Sequence, residues 1–399
     1  MKKKKLAIIG SGRMAWIFGK HAAEMGVETH AFSFDDHCIA KETVTEHHLV
    51  DIMKLDDVLD TCRAIGVNGV VATTELTVPV ASYVAQSLGL TCIPYDKAKV
   101  ITDKYRNRKE CEKCKGLAQP KYAEIWGIKE FKYADWQFPI IIKPTSKGGK
   151  RGISVVNNPE ELLSAYEYAK QFSGSDSIII EEFIAGGKEY SVESLSYKGK
   201  HYIIQVTEKI SSGPPHCVEL GHRQPAELTS EMRSAVGNAV SEGLTAIGVD
   251  NGSCHTEIKI VDDKIFLIEF NARPGGDHIA WPLTELSTGY SYIKGIIEIA
   301  LGDFHGVDET KLGHNYAGVY FVTEQTSYLK SLFDTCEQYD WLYWKNEVNE
   351  KLTLLTHNDG YNTNFMMYYS MYEDPISSIL KKDVDNKKGT AFTGNPFKG

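Results

Sequence analysis

Glu257, Glu269, Asn271 and Arg273 lie in the stretch HTEIKIVDDKIFLIEFNARPGGD, and their types and spacing make them the residues best suited to chemistry. The stretch alternates as a β-hairpin does, and residues two apart in a strand share a face. Glu269, Asn271 and Arg273 therefore project together, while Phe270 and Ala272 point the other way. Carboxylates and an amide suit a divalent cation, and a guanidinium beside them suits an anion. Whether Glu257 joins this group depends on the turn. A three-residue turn of Asp262, Asp263 and Lys264 sets Val261 opposite Ile265 and Glu257 opposite Glu269, and directly opposed carboxylates repel unless a cation sits between them. A two-residue turn puts the two acids on opposite faces. The sequence leaves both registers open.

Upstream, FPIIIKPTSKGGKRGISVV reads as strand, glycine-rich loop, strand. Glycines let main-chain N–H groups close on phosphate oxygens, and Lys143, Lys147, Lys150 and Arg151 supply charge to neutralise them. The spacing is not that of a P-loop, and the loop leads into a strand instead of a helix. It fits a flap over a triphosphate. The next stretch, IIIEEFIAGGKEYSVE, runs a buried strand into Glu181, Glu182, Phe183 and Ile184, then Glu189. A nucleoside triphosphate brings magnesium, which prefers one or two carboxylates plus phosphate oxygens. Glu257, Glu269 and Asn271 offer such ligands.

The elements that must position these groups can be read from the pattern. The first ~100 residues alternate strand and helix signals, as a parallel α/β domain does. Their first turn, GSGRMA, approaches a dinucleotide fingerprint but has alanine at the third glycine position, so an oxidoreductase is the rival reading. TSEMRSAVGNAVSEGLTAIG is an amphipathic helix closing on Gly248, and from about Asn315 the chain is aromatic-rich and strand-like. At 399 residues the chain can hold two to four compact units. A net charge of −9 and the lack of a basic stripe argue against nucleic acid as partner. No apolar run approaches the ~20 residues of a membrane span, and the opening MKKKKLAIIG points to a cytoplasmic protein. Eight cysteines are scattered without a disulfide framework. The Cys111–Cys114 pair lacks companions at zinc spacing and reads as part of a half-exposed helix.

Taken in order, Lys104 in TDKYRNR, Lys143 in IIKP, the glycine loop, EEFIAGGKEYSVE, EIKIV and IEFNARPGG resemble the ATP-grasp superfamily over roughly residues 1–310. Within it, VELGHRQPAEL followed by NARPGGDHI is similar to carboxylate–amine ligases that join amino acids, the L-amino-acid ligase (dipeptide synthetase) and carnosine-synthase-like branch. The resemblance implies an α/β composite fold. A Rossmann-like domain would span 1–100, an N-terminal lobe with a glycine-rich lid 101–182, and a C-terminal lobe with the metal and catalytic site 183–312. A small C-terminal subdomain and flexible tail would follow at 313–399.

The resemblance also implies roles. Lys104 and Lys143 would contact ATP phosphates, and Ser146, Lys147, Gly148, Gly149, Lys150, Arg151 and Gly152 would cover them. The backbone around Glu182, Phe183 and Ile184 would receive the adenine, with Glu181 among the ATP-binding residues, and Glu189 would take the ribose. Glu257, Glu269 and Asn271 would hold Mg²⁺, typically two ions, with Mn²⁺ as a substitute. Arg273, helped by N–H groups of Gly275 and Gly276, would stabilise the transferring phosphoryl group. Glu219 and His222 would recognise the amino acid being activated or position the incoming amine. Apart from the resemblance, Glu75 at the C-terminal end of a parallel strand is placed to contact the acceptor, Asp277 near Arg273 is placed to contact substrate or cap a turn, and Trp281 is placed to wall the pocket. The implied reaction activates a carboxylate as an acyl phosphate and transfers it to an amine, with small molecules as partners and a homodimer as the expected assembly.

Overall fold

The computed structural model describes residues 3–146, 148, 151–174, 177–214 and 217–380. The run Leu6–Ile9 lacks polar alternation, as a strand covered on both faces must. It belongs to β1 (Lys5–Ile9), next to the centre of a parallel sheet with β2 (Glu28–Ser33), β3 (Glu46–Leu49) and β4 (Gly69–Ala72) in the order β3-β2-β1-β4. Leu6, Ile8 and Ala31 pack on helix α1 (Arg13–Glu24). Ala7, Ile9 and Phe32 pack on α2 (Leu55–Ile65) and α3 (Val78–Ser87). Gly66 ends α2 in the left-handed conformation that costs glycine little. β3 is polar, EHHL, and carries no strand signal of its own; pairing with β2 makes it a strand.

Helices α4 (Tyr95–Ile101) and α5 (Lys104–Glu110) lead to a four-stranded antiparallel sheet. Its strands are β5 (Tyr122–Ile125), β6 (Ile140–Pro144), β7 (Ser154–Val156) and β8 (Ile178–Glu182), ordered β5-β8-β6-β7 with α6 (Leu162–Phe172) against them.

The rest of the chain builds an eight-stranded antiparallel sheet. First come β9 (Lys188–Tyr197), β10 (Lys200–Ser211) and β11 (Glu219–Gln224), then helix α7 (Ser230–Ile247) and the hairpin β12 (Gly252–Val261) and β13 (Lys264–Asn271). Short helices α8 (Thr284–Thr288) and α9 (Tyr292–Ala300) precede β14 (Tyr316–Phe321), β15 (Leu342–Asn346) and β16 (Phe365–Ser370). The order is β13-β12-β9-β10-β11-β14-β16-β15. The aromatic C-terminal segment is thus no separate sheet: β14 pairs with β11 and continues the large one. The tail expected to be loose, 381–399, lies outside the described residues. α7 starts where the Thr229 hydroxyl accepts the Met232 N–H at 3.2 Å and ends on left-handed Gly248. Its Val236, Val240, Leu244 and Ile247 pack on Val192, Val206, Ile258 and Phe270, which makes one face of the sheet apolar. Cys111 and Cys114, read as half-exposed, are buried in this core, and burial pushes the Cys111 thiol up to about 12, so it is inert.

The hairpin resolves the open register in a way neither simple turn allows. The turn has two residues, Asp262 and Asp263, both at positive φ, and Val261 pairs with Lys264. That register holds as far as Ile258–Leu267; it then slips by one, so Glu257 pairs with Glu269 and His255 with Asn271. Ile268 is the extra residue of a β-bulge. Arg108, 2% exposed, donates to the carbonyls of Leu267 and Ile268 and to both carboxylate oxygens of Glu181 (2.7 and 3.2 Å). Lys143 donates to Glu181 at 2.7 Å. One buried guanidinium thus ties α5 to the small sheet and to the bulge. Replacing Arg108 with Leu leaves buried Glu181 with Lys143 alone and strands two carbonyls, and should cost about 3–5 kcal/mol in urea unfolding; a loss below about 1 kcal/mol would show that this network is dispensable.

Candidate active site

Partners across a sheet share a face, so the strand registers line up three polar rows opposite the α7 core. One row is Lys259, Glu189, Lys209 and His222; the next is Glu269, Glu257, Ser191 and Thr207; the third is Asn271, His255, Glu193 and Gln205. A cleft of about 650 Å³ lies between this face, the small sheet and the C-terminal ends of β1, β2 and β4, within the usual range for small-molecule sites.

Ion pairs run along the cleft in sequence. Lys104 meets Glu269 at 2.9 Å; Glu257 meets Lys209 at 3.2 Å; Lys209 meets Glu219 at 2.9 Å. Burial works against the Lys209 charge, but the carboxylates of Glu219 and Glu257 hold its pKa well above the ordinary lysine value. Glu257 is also 3.4 Å from Nε2 of His255, whose Nδ1 bonds the fully buried Glu193. Burial opposes a charge on His255 too, yet Glu193 raises its pKa, and the imidazole lies between two carboxylates. Glu181 drops to about 2: burial resists its ionisation, and Arg108 and Lys143 overcome that.

Residues 136–281 match the family model of the ATP-grasp domain. D-alanine–D-alanine ligase of Neisseria gonorrhoeae (strain NCCP11945) is 31% identical over 225 residues, 53% of this chain and 73% of that one. The chain belongs to the ATP-grasp superfamily. Among solved structures, L-amino acid ligase from Bacillus licheniformis shares the fold with a TM-score of 0.77, at 20% identity, over 97% of this chain and 98% of that one. N5-carboxyaminoimidazole synthetase from Staphylococcus aureus, complexed with ADP, follows at 0.74 and 13% identity over 96% and 97%. This chain is an ATP-grasp ligase, and its relatives differ in the substrates their names record.

Within the ATP-grasp cleft most of the expected residues meet. Lys104, Lys143, Gly148, Glu181 to Ile184, Glu189, Glu219, His222, Glu257, Glu269, Asn271, Arg273, Gly276 and Asp277 line it. The first turn of the chain, Gly10 to Met14, lines it as well, so GSGRMA serves this cleft instead of a separate dinucleotide site. Several expectations need correction. Glu181 is committed to Arg108 and Lys143 and has no free carboxylate for a nucleotide. The segment 182–184 lines the cleft as expected, but three of its backbone groups are taken: the Glu182 and Phe183 N–H groups donate to the Lys121 and Pro139 carbonyls, and the Ile184 carbonyl accepts from Lys259 at 2.8 Å. Glu75 lies in the cleft bound to Arg273 through Nε (3.1 Å) and Nη2, so it orients the guanidinium and is not an open acceptor contact. Gly275 donates its N–H to Glu193 at 3.0 Å and cannot offer it to a ligand; a Cβ there would sit 2.7 Å from the Glu193 carboxylate. Ser146, Arg151 and Gly152 do not line the cleft, and Trp281 packs on Trp16 and His21. Lys147, Gly149 and Lys150 lie outside the described residues. Among the described flap residues 146, 148, 151 and 152, Gly148 is the one that lines the cleft, and a Cβ on it would touch the Glu75 carboxyl at 2.7 Å.

Among the cleft residues that sequence reasoning missed are His255, Lys209, Asn358 and Tyr361. His255 had a signal, since it shares a strand face with Glu257. Lys209 had a weak one, a lysine closing the buried run IIQVTEK. Asn358, which accepts the Glu219 N–H at 3.0 Å, and Tyr361 come from a distant loop and had none.

His222 is fully buried, and among the described residues neither ring nitrogen has a hydrogen-bond partner. Burial depresses its pKa to about 4; burial, then Glu219, pushes Asp277 up to about 6. An unfolded chain protonates the imidazole near pH 6.5. Between there and pH 4 the unfolded state binds the extra proton, so His222 lowers stability as pH falls. From pH 7 to pH 5 wild type should lose about 2 kcal/mol more than His222→Asn in urea titrations. Equal losses would mean His222 is not held neutral.

Proposed function

We propose that this ATP-grasp ligase activates the carboxylate of an amino acid as an acyl phosphate and transfers it to an amine, with a second amino acid as the acceptor, releasing ADP and phosphate. The line of alternating charges from Lys104 through Glu269 and Glu257 to Lys209 and Glu219 carries this reading. At one end, Lys104 and Lys143 suit the phosphates of ATP, with the backbone at 182–184 and Glu189 beside them. At the other end the cleft offers both signs of charge together with His222, Asp277 and Tyr361, which matches a zwitterion better than a simple anion. The name of the Bacillus licheniformis relative accords with an amino acid substrate.

Glu257, Glu269 and Asn271 form a set of oxygen donors suited to Mg²⁺, and both carboxylates already draw a lysine ammonium. Bound there, Mg²⁺ would supply Lewis-acid polarisation and charge neutralisation at the phosphates. The protein does the rest by positioning. An unactivated carboxylate does not acylate an amine at neutral pH, so it must first attack the γ-phosphate in line. Lys104 and Lys143 neutralise the phosphates during that attack. Arg273, steadied by Glu75, donates to the transferring group and then to the oxyanion that forms when the amine attacks. Burial opposes its charge, but Glu75 keeps the guanidinium protonated at any working pH. The flap around Gly148 excludes water that would hydrolyse the acyl phosphate.

A screen of amino acid pairs for phosphate release, with mass detection of the product, tests the reaction. Release that requires two amino acids and yields a dipeptide mass is expected; ATP turnover only with other carboxylates would sink the amino acid assignment. Glu269→Gln and Arg273→Ala should each lower kcat by about 10²–10³, and near-normal rates in either would remove that residue from the mechanism.

A further inference from the structure

We propose that His30, His48 and Glu46, on the N-terminal sheet and away from the ligase cleft, form a binding site for a borderline divalent transition ion of the zinc type, which staples the edge strand β3 to β2. Parallel pairing of β2 and β3 sets His30 opposite Glu46 and Phe32 opposite His48, all on one face. The two rings meet at 3.0 Å, Nδ1 of His30 to Nε2 of His48. A Glu46 carboxylate oxygen lies 3.6 Å from the first nitrogen and 3.9 Å from the second. A tetrahedral ion with bonds of about 2.0–2.1 Å holds its ligand atoms roughly 3.4 Å apart, so each distance must change by only about half an ångström. This is the one cluster of at least three His, Cys or carboxylate ligand atoms within mutual reach among the described residues.

The surroundings prepare the ligands. Nε2 of His30 lies 3.0 Å from a Glu28 carboxylate oxygen, and Glu28 is also paired with Lys5 at 3.1 Å. The same Glu28 oxygen accepts from Lys5 and faces the His30 ring, so Glu28 is the acceptor of this pair. His30 must then carry its proton on Nε2, which leaves the Nδ1 lone pair aimed at His48 and Glu46. A carboxylate fixing the tautomer of a histidine from behind is the usual outer support of metal-bound imidazole. Without metal, His48 donates its Nε2 proton to that lone pair. With metal, His48 carries its single proton on Nδ1, and the ion takes the place of the proton between the rings; no net proton is released. His30 is buried and Phe32 stacks on the His48 ring with centroids 4.9 Å apart, while Glu46 is 59% exposed and leaves a path from solvent. Two imidazole nitrogens select against Mg²⁺, so the site does not compete for the ion proposed in the cleft.

The test uses the full chain, stripped with a chelator and kept in excess Mg²⁺ to occupy carboxylate sites. Titration with Zn²⁺ should show one tight equivalent, and Co²⁺ should give the strong visible absorption of a low-coordinate site with nitrogen ligands. Glu46→Gln, at an exposed position that folding tolerates, and His48→Gln should each weaken Zn²⁺ binding at least tenfold. Glu28→Gln, which removes only the outer support, should weaken it about 10–100-fold. Absence of a stoichiometric equivalent, or unchanged affinity in both Glu46→Gln and His48→Gln, would overturn the proposal; the second result would assign the bound zinc to other histidines.

Discussion

The β-bulge at Ile268 is the constraint on which the arrangement of the cleft depends. A two-residue turn alone would place Glu269, Asn271 and Arg273 on the face that packs against α7. One extra residue reverses the alternation and brings all three to the polar face beside Glu257. β13 is an edge strand, and at the bulge Arg108 takes the carbonyls of Leu267 and Ile268. The same guanidinium is neutralised by Glu181 from the small sheet. The feature that aims the acidic residues is therefore also one that joins the two sheets.

A sheet with one apolar and one highly charged face is stable only if the charged side is internally compensated, because an unpaired buried ion is costly. Much of the cleft meets this condition. Lys104 answers Glu269, Lys209 answers Glu219 and Glu257, His255 answers Glu193, and Arg273 answers Glu75. Several of these partners are the groups proposed to receive ATP and substrate. Binding would then exchange one set of ion pairs for another without creating bare charge, and Gly148, packed against Glu75, links the flap to the same set.

Legibility in the sequence followed the range of the interactions concerned. β1, β2, β4 and helices α1 to α3 were readable because their apolar periodicity is local. Arg108 was not, since in the run NRKECEKCKG it looks like one of many solvated charges, and its partners Glu181 and Ile268 are 73 and 160 residues away. β3 was missed because EHHL has no apolar alternation; its strand character comes from β2. Gly275 was expected to offer an amide to the reaction, and only the fold shows Glu193 in the way.

By itself the sequence determined the element types, the order of the ATP-grasp motifs and the chemical character of the cleft, because residue type and spacing are properties of the chain. Which atoms face each other was decided by tertiary structure. The bulge sets parity, Glu75 and Glu193 occupy donors that looked available, and Asn358 and Tyr361 reach the cleft because the C-terminal strands extend the same sheet. The physical reason is the range of the forces: propensity acts over a few residues, whereas the pairing of buried charges joins groups far apart in the chain and can be satisfied only after the chain has folded.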